Sequence, residues 1–150
     1  MASGRLKSKL FIFLVSVTGT LLGGCEKSRL DEEVTKLCAM DGGIKVYETV
    51  KLPHEKFNQF GNVEIPSKDK AKQEDLFFYE LDTKYLKTGN PEMWRSHHRI
   101  IRREDGKLLG ESIRYTRRGG DMPGPWHETA YSCPGTAVRP SLEEAIFSKQ

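Results

Sequence analysis

Residues 93–118 read MWRSHHRIIRREDGKLLGESIRYTRR. Two long runs, Met93–Arg103 and Lys107–Arg118, flank Asp105-Gly106, a dipeptide favoured in two-residue hairpin turns because both positions must turn left-handed. Such a turn predicts that Arg102 faces Leu109, Ile100 faces Glu111, His98 faces Ile113 and Trp94 faces Arg117. Alternation then sorts the side chains. Trp94, Ile100, Leu109, Ile113 and Tyr115 are expected to look inward, and Arg95, His97, Arg99, Arg103 and Arg114 outward. From Trp94 to Arg118 there are eight basic residues against three acidic ones, and all but one of the basic residues are Arg. The planar guanidinium suits two-pronged recognition of carboxylate or phosphate. Arg95, His97, Arg99, Arg103 and Arg114 are therefore a candidate face for an anionic ligand or partner. The competing reading is that these charges guard an exposed sheet face against aggregation.

Shorter elements surround the hairpin. Ser28–Met40 carries Leu30, Val34, Leu37 and Cys38 at i, i+4, i+7 and i+8, one apolar helical stripe, and Asp41-Gly42-Gly43 ends it. Ile44–Leu52 alternates as a strand up to Pro53. Pro53–Gly61 reads as a helical turn presenting Phe57 and Phe60, with Val63 and Ile65 in a brief extended segment and Ser67–Asp75 as a loop. Leu76–Leu86 reads as an aromatic-rich strand, and Trp126–Cys133 as a last strand. Ser141–Phe147 has the spacing of a capped helix, with Ser141 as N-cap and Glu144 three residues on. The order predicts an α+β fold, a small antiparallel sheet with a central hairpin and short flanking helices. At 150 residues, 37% hydrophobic and with a mean hydropathy of −0.58, the chain has room for one domain.

The N-terminus sets the compartment. Arg5, Lys7 and Lys9 precede a mostly apolar run of about 13 residues, Leu10–Leu22, too short for the roughly 20 residues of a spanning helix but suited to a secretory signal. The run ends Leu22-Gly23-Gly24-Cys25. This resembles the lipobox of bacterial lipoprotein precursors. The resemblance covers the first 25 residues and implies that 1–24 is a removed signal peptide. It also implies that Cys25 becomes the first mature residue and carries a diacylglyceryl thioether. In that family Asp directly after the cysteine favours retention in the inner membrane. Glu26 stands there instead, so the expectation is a lipid-anchored protein facing the periplasm, at the outer membrane rather than the inner. Several acyl chains make such an anchor stable where one would not. The competing reading is an ordinary signal peptide cut nearby. It would leave Cys25 as a free or paired thiol, whereas in the lipoprotein reading residues 25–29 are the lipidated cysteine and a short tether, and 30–150 the single α+β domain. Leu37–Glu48 is also similar to a segment of small uncharacterised proteobacterial lipoproteins, a likeness that implies no activity.

Signal removal changes the charge. Residues 1–24 hold three basic residues and no acidic one, so 24 basic residues fall to 21 against 21 acidic. The neutral mature chain gives no electrostatic argument for nucleic acid as a partner. Cys38 and Cys133 remain as an even pair in a disulfide-permissive compartment and are expected to bond. The loop they close, about 95 residues, corresponds to roughly 4–5 kcal/mol in the chain-entropy account. Two buried thiols are the alternative.

Catalytic signals are sparse. Adjacent His97 and His98 point to opposite faces of a strand, so they do not share a metal, and His98 is expected as a hydrogen-bonded core residue. His127-Glu128 lacks the second histidine of a zinc helix, and no CxxC pair occurs. No phosphate loop, dinucleotide fingerprint or nucleophile elbow is present. No metal and no cofactor is therefore expected. The 119–128 loop, with Asp121, His127 and Glu128, is the acid–base candidate on composition. The leading expectation is a non-enzymatic binding module of the cell envelope, attached to the membrane by its lipid. Its partner would be an envelope protein, peptidoglycan or an anionic lipid. The alternatives are an immunity or inhibitor lipoprotein against an envelope-acting toxin, and a small envelope hydrolase using the 119–128 loop.

Overall fold

The computed structural model describes residues 26–121, 124, 127–135 and 140–150. The signal segment, Cys25 and Trp126 lie outside the described residues. Helix α1 spans 26–41 and already includes most of the expected tether. It is followed by β1 (Gly43–Val46), β2 (Val50–Leu52), a 3-10 turn (His54–Lys56), β3 (Phe77–Lys87), β4 (Glu92–Arg102), β5 (Leu108–Arg118), β6 (Ala130–Cys133), α2 (Leu142–Ile146) and β7 (Phe147–Lys149). Five strands form the main antiparallel sheet, in the order β1-β5-β4-β3 with β6 also on β5, so the fold is α+β. β2 and β7 form a separate parallel pair. No helix among the described residues is long and apolar enough to cross a membrane.

The β4–β5 register differs by one residue from the expected one. Ile100 pairs with Gly110, His98 with Ser112, His97 with Ile113 and Trp94 with Thr116. A two-residue turn of the Asp-Gly type needs left-handed backbone at both positions. Only Gly106 adopts it, at φ 69°, and among the described residues no non-glycine residue has positive φ. Asp105 instead accepts the Lys107 N–H (3.1 Å) and an Arg102 N–H (3.0 Å). The chain closes with Arg102 N–H bonded to Lys107 C=O, and the register irregularity beside Ile100 and Ile101 is a bulge around Leu109.

That bulge also breaks the expected Ile44–Leu52 strand. The Leu109 carbonyl accepts both the Tyr47 N–H (2.8 Å) and the Glu48 N–H (3.0 Å), so the chain leaves the sheet there and restarts as β2 beside β7.

The sheet is covered on both faces, by different elements at opposite ends. On one face α1 lays down Leu30 and Val34, with Leu37 and Cys38, over Met93, Ile113 and Tyr115. On the other, Leu142, Ile146 and Phe147 pack with Ile100, Leu109 and Leu52. Apolar residues of both parities are therefore buried, which corrects the expectation of one inward face: Trp94 and Ile100 lie on the α2 face, Ile113 and Tyr115 on the α1 face. Gly110 makes the α2 contact close. A β-carbon there would stand 2.9 Å from Ile146 Cδ1 and 2.9 Å from the Lys45 carbonyl oxygen.

The capping box of α2 forms in both directions, from Glu144 N–H to Ser141 Oγ (3.2 Å) and from Ser141 N–H to Glu144 Oε2 (2.8 Å). Cys38 and Cys133 are bonded, with Cα atoms 5.8 Å apart. Their bond ties the end of α1 to the point where β6 and β1 meet end to end along β5.

Candidate functional site

The basic residues of the hairpin are divided by the register. Arg95, His97 and Arg99 lie on the α1 face, Arg103 lies in the turn, and Arg114 lies on the α2 face opposite Ser96. They do not form one surface, which corrects the expected common face.

Most are also neutralised locally. Arg95 is 3.3 Å from Asp41, His97 is 2.6 Å from Glu111, and Arg99 is 3.1 Å from Glu80. Arg103 donates to the Asp75 carbonyl (2.9 Å) and sits over the Phe78 ring. Arg117, which sequence reasoning passed over, is 2% exposed. It makes a two-pronged bond to Asp31 of α1 (2.8 and 3.0 Å) and donates to the carbonyls of Gly119 and Thr129.

Arg114 is the exception. Among the described residues no carboxylate lies within ion-pairing distance of it, and its buried Nε has no hydrogen-bond partner. It lines a cleft of about 560 Å³ on the part of the α2 face that the helix leaves open. Ser96, His98 and Ser112 form the floor with Arg114, and Ser141 and Glu143 come from the start of α2. Ile44, Tyr79, Leu81 and Leu142 supply apolar walls.

His98 belongs to the floor of this cleft, and its buried Nε2 makes no hydrogen bond, so it is not the hydrogen-bonded core residue expected. Its ring stands edge-on to Tyr79 at 4.9 Å, its Nδ1 is 4.0 Å from Glu143, and its buried Nε2 has no partner. Burial is the main cause that holds its pKa below the ordinary histidine value. Glu143 pulls the other way and the Arg114 charge adds to the lowering. The ring is thus neutral near pH 7, and among the described lining residues Arg114 is the cation. Among the described residues no serine makes a hydrogen bond to Nε2. The cleft therefore combines a guanidinium with no ion-pair partner among the described residues, the Glu143 carboxylate beside His98, serine hydroxyls and apolar walls.

The 119–128 loop is held by other contacts. Asp121 pairs with Lys27 and accepts from the Thr129 N–H (2.6 Å) and hydroxyl (2.7 Å), and these bonds, Lys27 foremost, hold its carboxyl far below the usual range. Glu128 takes an Asn90 N–H (3.2 Å) and lies 3.7 Å from Arg118. No hydrogen bond or ion pair joins His127 to either carboxylate, so the loop residues are not gathered into an acid–base group. Among the described residues no three His, Cys, Asp or Glu side chains cluster as metal ligands.

Ser96, Ser112, Ser141, Glu143 and Leu81 were not anticipated. Their meeting depends on the one-residue bulge and on where α2 lands, and neither leaves a sequence signal. Comparison with protein-family models, with characterised proteins and with solved structures finds no match to this chain.

Proposed function

We propose that this chain is a cell-envelope lipoprotein, anchored through Cys25, that acts as a non-enzymatic binding module for an anionic, partly apolar ligand in the Arg114 cleft. The observation that carries the binding half is Arg114: among the described residues it is the hairpin arginine that has neither a carboxylate nor a backbone carbonyl to satisfy it, and it opens into a cleft of ligand size. An incoming carboxylate or phosphate would supply the missing acceptor, with Ser96, Ser112 and Ser141 as neutral donors beside it. The anchor half rests on Leu22-Gly23-Gly24-Cys25 and the basic, short apolar segment before it.

Peptidoglycan stem peptides offer carboxylates and anionic lipids offer phosphates, and both present apolar groups nearby. The anchor is tested by the intact mass of the membrane-extracted protein. A chain beginning at Cys25 with added acyl chains is expected. A full-length or unmodified mass would contradict it. The cleft is tested by titrating the protein in non-ionic detergent with a muropeptide and with short-chain phosphatidylglycerol, each against the Arg114→Gln variant. At least one probe should bind the wild type and lose at least tenfold in affinity with the variant. Binding that ignores the substitution would contradict the assignment.

A further inference from the structure

We infer that β3 is a self-complementary sheet edge through which two copies of this chain pair, antiparallel and in a single register centred on Thr83. The inference goes beyond the ligand reading and does not depend on it. Among the described residues β3 has a strand neighbour, β4, on one side only. On its other side, the Tyr79 N–H bonds to the Pro66 carbonyl and the Tyr79 carbonyl takes the Lys68 N–H, both at 2.9 Å. Tyr79 therefore points its backbone groups outward. Because strand residues alternate, Leu81, Thr83 and Tyr85 do the same. Among the described residues none of these three has an outward backbone partner.

The free run is bounded. The 66–68 segment occupies the edge at Tyr79, and the register breaks between Tyr85 and Lys87. What remains, Leu81–Tyr85, is symmetric about Thr83. Pairing two such edges about Thr83 places Leu81 opposite Tyr85 of the partner copy twice and Thr83 opposite itself. All three are hydrogen-bonded pairs.

The side chains select this register. In the non-hydrogen-bonded positions, where cross-strand side chains come closest, it sets Asp82 opposite Lys84, again twice. Centring on Leu81 would set Glu80 against Asp82, a like-charge pair. Centring on Tyr85 would set Lys84 against Leu86. Asp82 and Lys84 are exposed, and neither makes an ion pair or a hydrogen bond within the described chain. Leu81 and Tyr85 are 59% and 55% exposed, apolar surface that mutual pairing would cover. Both stand on the α2 face, where Leu81 lines the Arg114 cleft. The partner's Tyr85 would thus border the cleft of its neighbour, and the two clefts would open side by side on one continuous sheet.

The test is the solution mass of the membrane-extracted protein in detergent, by analytical ultracentrifugation over a range of concentrations. The wild type should reach a dimer mass. Lys84→Asp, which creates two like-charge pairs across the seam, should shift it to monomer. The double variant Asp82→Lys, Lys84→Asp should restore the dimer. Thr83→Cys provides a second readout, because a hydrogen-bonded antiparallel pair holds its Cα atoms about 5.5 Å apart, within disulfide range. It should give a cross-linked dimer on a non-reducing gel that the wild type does not give. A monomeric wild type at every concentration would overturn the inference and leave the edge to a strand of another protein. A dimer indifferent to Lys84→Asp, or a Thr83→Cys chain that never cross-links, would overturn it equally.

Discussion

Arg117 and Arg114 stand three residues apart on β5 and face opposite sides of the sheet. Arg117 is closed in. Asp31 grips its guanidinium from α1, two carbonyls take further N–H groups, and the disulfide between Cys38 and Cys133 lies on the same side. Arg114 has no such enclosure: it looks into a cleft with an unsatisfied Nε and no carboxylate in range among the described residues. The same residue type on the same strand ties a helix to the sheet on one face and stands without an ion-pair partner among the described residues on the other. What separates them is which side of the sheet a helix covers with a complementary acid.

Substitutions should divide along this line. Asp31→Ala leaves a buried cation without its partner, a change that costs about 3–5 kcal/mol in comparable sites. Thermal or urea unfolding should show a loss of that order, whereas Arg114→Gln should leave stability almost unchanged. Equal losses at the two sites would dissolve the contrast. Gly110→Val drives side-chain atoms against Ile146 and the immovable Lys45 carbonyl, so a loss of about 1–3 kcal/mol is expected, read from the same unfolding curves. A neutral result would mean that α2 sits further from the sheet and that the cleft is wider than described.

The smallest effect is a pH slope. Because the folded-state pKa of His98 is lowered, mainly by burial, the unfolded chain takes up a proton that the folded chain refuses. Its contribution is fully present above the ordinary histidine value of about 6.5 and is lost as pH falls through the lower folded value. His98→Gln should remove this part of the acid-side decline in melting temperature. An unchanged slope would place the decline in the carboxylates instead, among them Glu80 and Glu111, which are also lowered, chiefly by bonds from Lys68 and Tyr47.

Part of this was legible beforehand. The stripe Leu30, Val34, Leu37 and Cys38 predicts its own burial because helical spacing is local, and the Ser141–Glu144 capping box is equally local. Setting Cys25 aside leaves Cys38 and Cys133 as a pair, and the two are bonded. Register was not legible. Asp105-Gly106 fits a two-residue turn, but the Asp105 carboxylate finds partners in the right-handed conformation and the chain takes a longer turn. A single bulge at Leu109 then moves every pairing by one, and so decides that Arg114 shares a face with Ser96 and His98 rather than with Arg95 and Arg99. Alternation also assumes one buried face, whereas here two helices bury opposite faces at opposite ends. Arg114 could be named as a candidate from sequence, but its isolation could not, since that depends on where Asp31, Asp41, Glu80 and Glu111 come to rest.

The most direct test of the account is the affinity of the detergent-solubilised protein for a muropeptide and for short-chain phosphatidylglycerol, measured by calorimetry for the wild type, Arg114→Gln and Arg95→Gln. The account predicts binding of at least one probe that Arg114→Gln weakens at least tenfold and Arg95→Gln leaves within about twofold, since Arg95 is already engaged by Asp41 on the other face. Equal losses from both substitutions, or binding that survives Arg114→Gln, would contradict it.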